Sequence, residues 1–427
     1  MPVEMQKDAI KRTESAGRDG LDAGTMSAGL LAAVCIGHFL NDGIGSIIPA
    51  ALPILRDAHG LTFAEVGLIT LVVQITSSLL QPLVGFATDK RPTRFALSIG
   101  MCFTFAGLIL LGTAASLTII LLSVALIGCG SAVFHPESAR IAQHASGGRK
   151  GFAQAVFQVG GNAGMAIGPL AAAFVVVPYG QPSIAWFAPA AALAACLFIW
   201  VGRRGFAYCI SGTQDKAKGK TKAKPNTGTA SPFGGKVLSG RALAVFFAIL
   251  LLLMFSKQVY ISTLQNFFTF YLIDAFGLSV EASQYALFGF LLMSALGTLA
   301  GGPLTDRFGR RVVILWSILG AAPFALLLPW AGLTGVISLA LIVSFIMSSA
   351  FTAILVWALD AAPERIGMVS GLFFGLSFGM GGLATAVFGW ASDLYGLHAM
   401  FIGASVLPLM GLAAFALPPD GRKRPVA

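Results

Sequence analysis

Charge is what this sequence has least of: Asp, Glu, Lys and Arg make up 11% of its 427 residues, against 56% hydrophobic. Soluble domains carry about 25% charged residues, so a water-covered globule is excluded and a surface facing lipid is expected. Cysteine is also scarce. Cys35, Cys102, Cys129, Cys196 and Cys209 are odd in number and mostly sit in apolar runs, which argues against a disulfide framework. No short apolar run with a cleavage site opens the chain, so no removable signal peptide is expected. Enzyme motifs are missing too. There is no HExxH, and GKT at Gly219 to Thr221 lacks the upstream glycine of a nucleotide-binding loop. A membrane enzyme and a nucleotide-driven pump are both disfavoured, and no cofactor is expected.

Apolar runs are what the chain has in plenty. Twelve are long enough to span a bilayer at about 20 residues each. They fall near 28–55, 63–87, 94–115, 117–142, 151–177, 183–202, 241–272, 281–304, 311–331, 333–360, 366–391 and 397–417. The expected fold is an all-α membrane protein of twelve transmembrane helices in two pseudo-symmetric six-helix bundles. Residues 1–27 form an N-terminal tail, 28–202 the first bundle, 241–418 the second, and 419–427 a C-terminal tail. Between the bundles, 203–240 is rich in Lys, Gly, Thr and Pro without an apolar stripe, the composition of a flexible linker.

Lysine and arginine set the orientation. With the N-terminus cytoplasmic, Lys90, Arg91, Arg94, Arg149, Lys150, Arg307, Arg310 and Arg311 fall on one side, with the linker and the tail GRKR. Only Arg56 falls on the other. Both termini are therefore expected in the cytoplasm. The net charge of +10 has its explanation in this asymmetry, and no nucleic-acid partner is needed. The stretch DKAKGKTKAK, Asp215 to Lys224, fits anionic headgroups better than RNA.

The halves repeat. GFATDKRPTR (Gly85 to Arg94) follows the second span and GPLTDRFGRR (Gly302 to Arg311) the eighth, with Asp89 and Asp306 217 residues apart. The glycine-rich fifth span (GGNAGMAIGP) corresponds to the eleventh (GLFFGLSFGMGG). A pseudo-twofold along the membrane normal follows, with a substrate site between the halves near midplane.

Polar residues at that depth are the candidates for chemistry. Asp42 lies about 20 Å along the first span at 1.5 Å per residue, one turn from His38 and beside Asn41. An ionisable group there costs about 2.5–3.5 kcal/mol on insertion scales, so it needs a partner or a wet cavity. It is either a proton carrier or a carboxylate permanently satisfied by His38 and Asn41. The fourth span holds His135, Pro136, Glu137 and Arg140. Glu137 with His135 and Arg140 could couple proton release to anion binding, or Glu137 and Arg140 could form an ion pair closing the cytoplasmic end. No metal site is expected, because His135, Glu137 and His144 do not share one helical face. In the seventh span Lys257, sixteen residues from Arg241, is a counter-charge for an anionic substrate, with Tyr260 one turn on; it is too deep to snorkel easily. It should face Asp42 across the interface. Gln154, Gln158 and Asn162 form an i, i+4, i+8 stripe that either lines the cavity or bonds neighbouring helices. Asn41 and His135 join this substrate-binding set. Asp89, Asp306, Arg310, Arg140 and Asp360, near the cytoplasmic edge, are the gating candidates. No residue is assigned a catalytic role.

GPLTDRFGRR resembles the helix 8–9 loop of the major facilitator superfamily, with the helix 2–3 copy weaker. HFLND, VFHPESARIAQHASGGRKGFAQAVFQVGGNAG, FFTFYL and RIGMVSGLFFGLSFGMGGL are similar in order to the fosmidomycin resistance protein family, over about residues 30–418. The resemblance implies a bacterial inner-membrane exporter exchanging protons for a small drug, fosmidomycin (a phosphonate) being the name-giving substrate. A monomer is expected, with protons, lipid and a drug or anionic metabolite as partners. GxxxGP in the fifth span resembles a motif of proton-driven drug antiporters. Two departures stand out. TDKRPTR lacks the Gly-Arg ending of its second copy, and LLSVALIGCG has no arginine where many drug/proton antiporters carry one deep in helix 4. The helices do not themselves distinguish export from proton-coupled import; the resemblance alone points outward.

Overall fold

The computed structural model describes residues 27–90, 93–146, 150–217, 233, 240–362 and 366–420. Among these the chain is helical from end to end. In order run α1 (Ala28–His59), α2 (Phe63–Lys90), α3 (Ala96–Gly112), α4 (Leu117–His144) and α5 (Lys150–Ala171, extended by a π-turn Ala172–Val176). They are followed by α6 (Ala188–Ala217), α7 (Gly240–Phe276), α8 (Val280–Phe308), α9 (Arg310–Ile318 with short helical turns to Trp330) and α10 (Leu333–Ala361). The run Ile366–Ser405 is broken at Gly396 (φ 82°, ψ 159°), which separates α11 from α12. Among the described residues ten stretches are long and apolar enough to cross a membrane, α3 is a shorter apolar helix, and the Gly396 break brings the helices to twelve.

Lipid offers no hydrogen bonds, so each span must satisfy its own backbone, and only a helix does this with one segment. Ends are punctuated locally. Thr62 and Glu65 form a reciprocal cap at the start of α2, with the Glu65 carboxylate 2.8 Å from the Thr62 amide. Gly60 ends α1 in the left-handed conformation at φ 62°, which a Cβ would disfavour. Trp316, Trp330, Leu193 and Leu79 stand exposed, the arrangement expected where the outer face meets hydrocarbon. One boundary differs from the sequence expectation. α6 continues to Ala217, past 202, because helical hydrogen bonding does not need the apolar stripe whose absence marks 203–240 as a linker. Residues 218–232 and 234–239 lie outside the described set.

Glycine decides how closely α1 and α5 approach. A Cβ on Gly164 would lie 2.9 Å from the Gly43 nitrogen and collide with the Phe39 carbonyl. Both obstacles are backbone, so neither can turn aside. Gly164→Val is expected to lower the melting temperature of the detergent-solubilised protein. The propensity gained by replacing a mid-helix glycine is below about 1 kcal/mol, whereas overpacking costs about 1–3 kcal/mol. A raised melting temperature would show that the helices can part without penalty.

The halves meet along α2 with α11 and α5 with α8, pairs that the pseudo-twofold exchanges. The described hydrogen bonds between them cluster toward the end that carries the α1–α2 turn. Asp393 of α11 accepts from the Phe63 and Ala64 amides at 2.8 and 2.7 Å. Gln284 of α8 donates to the Ala50 carbonyl (2.9 Å), and Thr70 of α2 donates to Asn266 of α7 (2.9 Å).

Candidate functional site

Three side chains from two helices converge at mid-bundle. α1 supplies His38 and Asp42 on one face, and α4 supplies His135. His38 Nε2 lies 3.1 Å from Asp42 Oδ2, and His135 Nε2 lies 3.5 Å from Asp42 Oδ1. His38 is fully buried, Asp42 is 13% exposed and His135 is 28% exposed. Asn41 donates to Asp42 Oδ1 at 2.9 Å. α5 makes room for the group: a Cβ on Gly161 would strike His38 Nε2 and come within 2.8 Å of Asp42 Oδ2. The His38 ring stacks on Phe157, centroids 4.0 Å apart.

Backbone carbonyls fix the state of both imidazoles. His38 Nδ1 is 2.7 Å from the Phe157 carbonyl, and His135 Nδ1 is 3.0 Å from the Ser131 carbonyl. A carbonyl oxygen only accepts, so both Nδ1 atoms carry hydrogen. In the neutral rings the proton is spent there. Each Nε2 then presents a lone pair to the Asp42 carboxylate, which is itself acceptor-only. Three groups of acceptors face one another, and the triad coheres only with a positive occupant between them.

Other candidates fall elsewhere. Asp42 does not meet Lys257; the histidines of its own half take both of its oxygens. Lys257, near the middle of α7 and buried, stands over the Phe351 ring at 5.1 Å, without an ion pair among the described residues. Tyr260 is buried beside it on the same helix. Glu137 is buried and paired with Arg140 at 2.5 Å. Gln158 donates to Asn162 at 3.4 Å, and the Asn162 amide nitrogen is buried without a partner among the described residues; the side chain of Gln154 lies outside them. At the far end Arg310 is buried and bonded to Asp360, its backbone amide donating to Asp420 at 2.5 Å. Asp306 is exposed near the end of α8. Asp89 lies in the last turn of α2, with its side chain outside the described residues.

The family model of the Major Facilitator Superfamily matches residues 34–272 and 250–427. The chain belongs to that superfamily. Within it, the chain is 47% identical over 399 residues to the fosmidomycin resistance protein of Escherichia coli (strain K12), covering 93% of this chain and 94% of that protein. This places it in the fosmidomycin resistance family. An uncharacterized MFS-type transporter of Bacillus subtilis (strain 168) is 38% identical over 401 residues, covering 94% and 95% of the two chains. Among solved structures, the partially occluded inward-open xylose transporter XylE of E. coli superposes with a TM-score of 0.70 at 14% identity, covering 93% and 99%. A bacterial homologue of the lysosomal transporter Spinster gives 0.69 at 17%, covering 91% and 96%. These two show the fold alone. This major facilitator is a multi-pass membrane transporter and not an enzyme.

Two features of this major facilitator escape the sequence reading. His135 is considered there with Glu137 and His144, whereas it meets Asp42 from another helix. Asn266 is not singled out, although it accepts from Thr70 and donates to the Ser262 carbonyl at 2.8 Å. A signal for it exists. His38, Asp42 and Ser46 on α1 match Gln258, Ser262 and Asn266 on α7 at a constant offset of 220 residues. Gly161 and Gly381 share that offset, and a Cβ on Gly381 would lie 2.5 Å from Ser262 Oγ.

Proposed function

We propose that this transporter exports a small anionic or amphipathic drug of the fosmidomycin type in exchange for protons. The supporting observation is the triad, in which two imidazoles committed to backbone carbonyls turn their free lone pairs on one carboxylate. A proton between Asp42 and either Nε2 turns mutual repulsion into a hydrogen bond. Loss of that proton leaves acceptors facing acceptors, and His135, the most exposed of the three, is the member free to turn toward the cavity. There it accepts from a hydroxyl or amide of the substrate. Proton and substrate thus compete for one imidazole, the condition for exchange rather than co-transport.

Lys257 supplies the counter-charge for a phosphonate or carboxylate, with Tyr260, Asn41, Asn162 and Gln158 as polar lining. Glu137, two residues from His135, is the second carboxylate of the proton path and is held meanwhile by Arg140. Asp89, Asp306, Arg310 and Asp360 act at the gate. The termini face the cytoplasm of a bacterial inner membrane, a reading supported by the lysine and arginine asymmetry. Identity to a protein named for fosmidomycin resistance favours export over import of an anionic metabolite.

Counterflow in proteoliposomes under an imposed pH gradient tests the reading, with fosmidomycin beside unrelated drugs. Fosmidomycin should accumulate against its own gradient when protons flow the other way; indifference to the pH gradient would refute exchange. Lys257→Ala should weaken anionic substrates about tenfold more than neutral ones, equivalent to about 1.4 kcal/mol. Equal loss for both would make Lys257 structural.

A further inference from the structure

We propose that His38, Asp42 and His135 also form a binding site for a first-row divalent cation of the zinc class, at which such an ion blocks transport. The sequence expectation of no metal concerns a different trio. The ligand atoms of these three residues all lie within 4.8 Å of one another. Zinc takes nitrogen and oxygen ligands at about 2.0–2.2 Å in a tetrahedron, which sets neighbouring ligands about 3.3 Å apart. His38 Nε2 lies 3.1 Å from Asp42 Oδ2 and His135 Nε2 3.5 Å from Asp42 Oδ1, near that value but to different carboxylate oxygens. The side chains must draw together from a spread of up to 4.8 Å to enclose an ion.

The surrounding shell fits as well. Metal-bound histidines characteristically donate their other ring N–H to a carbonyl or carboxylate, which fixes ring and tautomer. Both rings do so here, through the Phe157 and Ser131 carbonyls, and the Asn41 amide steadies the carboxylate. Two imidazoles and one carboxylate suit zinc, cobalt or nickel. Magnesium and calcium prefer all-oxygen shells. The partial exposure of His135 leaves a fourth position for water or a substrate oxyanion. An ion held there ties α1 to α4 and keeps His135 from the cavity, hence the block. The site stands on geometry, whichever ion the transport cycle uses.

Tag-free protein in detergent, titrated with Zn²⁺ against a chromogenic chelator, should bind one ion per chain with micromolar affinity. Co²⁺ in its place should give the intense visible bands of a four-coordinate site. His135→Ala should weaken Zn²⁺ by about 100-fold or more, since even second-shell losses cost about 10–100-fold, and should abolish the cobalt bands. His59→Ala and His398→Ala, outside the triad, should leave both unchanged. His38 is buried, so the partly exposed His135 is the decisive variant should His38→Ala not fold. No stoichiometric binding, or binding indifferent to His135→Ala, overturns the proposal. Counterflow repeated in EDTA separates the two readings. Proton coupling without Zn²⁺ binding refutes only the metal site, and Zn²⁺ binding without coupling refutes only the exchange mechanism.

Discussion

Asp42→Asn yields a folded transporter that no longer moves protons in response to substrate. Asparagine keeps the shape of the side chain, and its amide can donate to the His38 lone pair that the carboxylate could only face. Removing a charge whose mid-membrane cost is about 2.5–3.5 kcal/mol should leave the melting temperature unchanged or raised. Substrate-driven proton flux in proteoliposomes should fall to the level of empty vesicles. Substrate exchange without a pH gradient should persist, which distinguishes uncoupling from collapse. Flux at the wild-type level would remove Asp42 as carrier. Glu137→Gln should also lose coupling but is the less clean variant. It breaks the buried ion pair with Arg140, a change that costs about 3–5 kcal/mol, so it needs a stability control.

Asp393→Ala should release the seal at the α1–α2 end. One carboxylate accepts from two successive amides of the facing half, and it does so at a helix N-terminus, where negative charge is favoured. Charge-assisted hydrogen bonds are worth about 1.5–3 kcal/mol each, but these are exposed and compete with water. A total of about 1–2 kcal/mol is the reasonable share. That shifts the equilibrium between closed and open at this end by about 5- to 30-fold. Spin labels on the ends of α2 and α11 should show a new long-distance population in Asp393→Ala and a smaller one in Asp393→Asn, which keeps one acceptor. Identical distance distributions in all three proteins would mean that packing alone holds the seal. Gly67 against Thr385 and Ala386, and Gly382 against Gln74, are the contacts that would then carry it.

Much of this fold was legible because hydrocarbon constrains sequence so tightly. Spans announce themselves by length and by the lack of charge, and the pairing of Asp89 with Asp306 in sequence reveals the repeat before any coordinate is known. Asp42 and Lys257 fall near the middle of α1 and α7 as their positions along the spans require. What the sequence withheld is partnership between helices. Periodicity says that His38 and Asp42 share a face, yet nothing in it says that His135 arrives from α4, because that depends on the rotation of one helix against another. The direct partners of Asp42 and Lys257 were hidden for the same reason: depth was known, azimuth was not. Glu137 and Arg140 pair as i, i+3 neighbours, a contact within one helix and therefore foreseeable.

Gly161 and Gly381 suggest what the repetition of the halves preserved. The side chains opposite them have diverged, an ionisable pair on α1 and an amide–hydroxyl pair on α7, yet each pair fits against a glycine at the same register. What is shared is a vacancy rather than a residue. A vacancy accepts new tenants without rebuilding the wall, so selectivity can be rewritten on α1 or α7 while α5 and α11 stay as they are. For a transporter meeting unfamiliar compounds, that is a short mutational path to a new cargo.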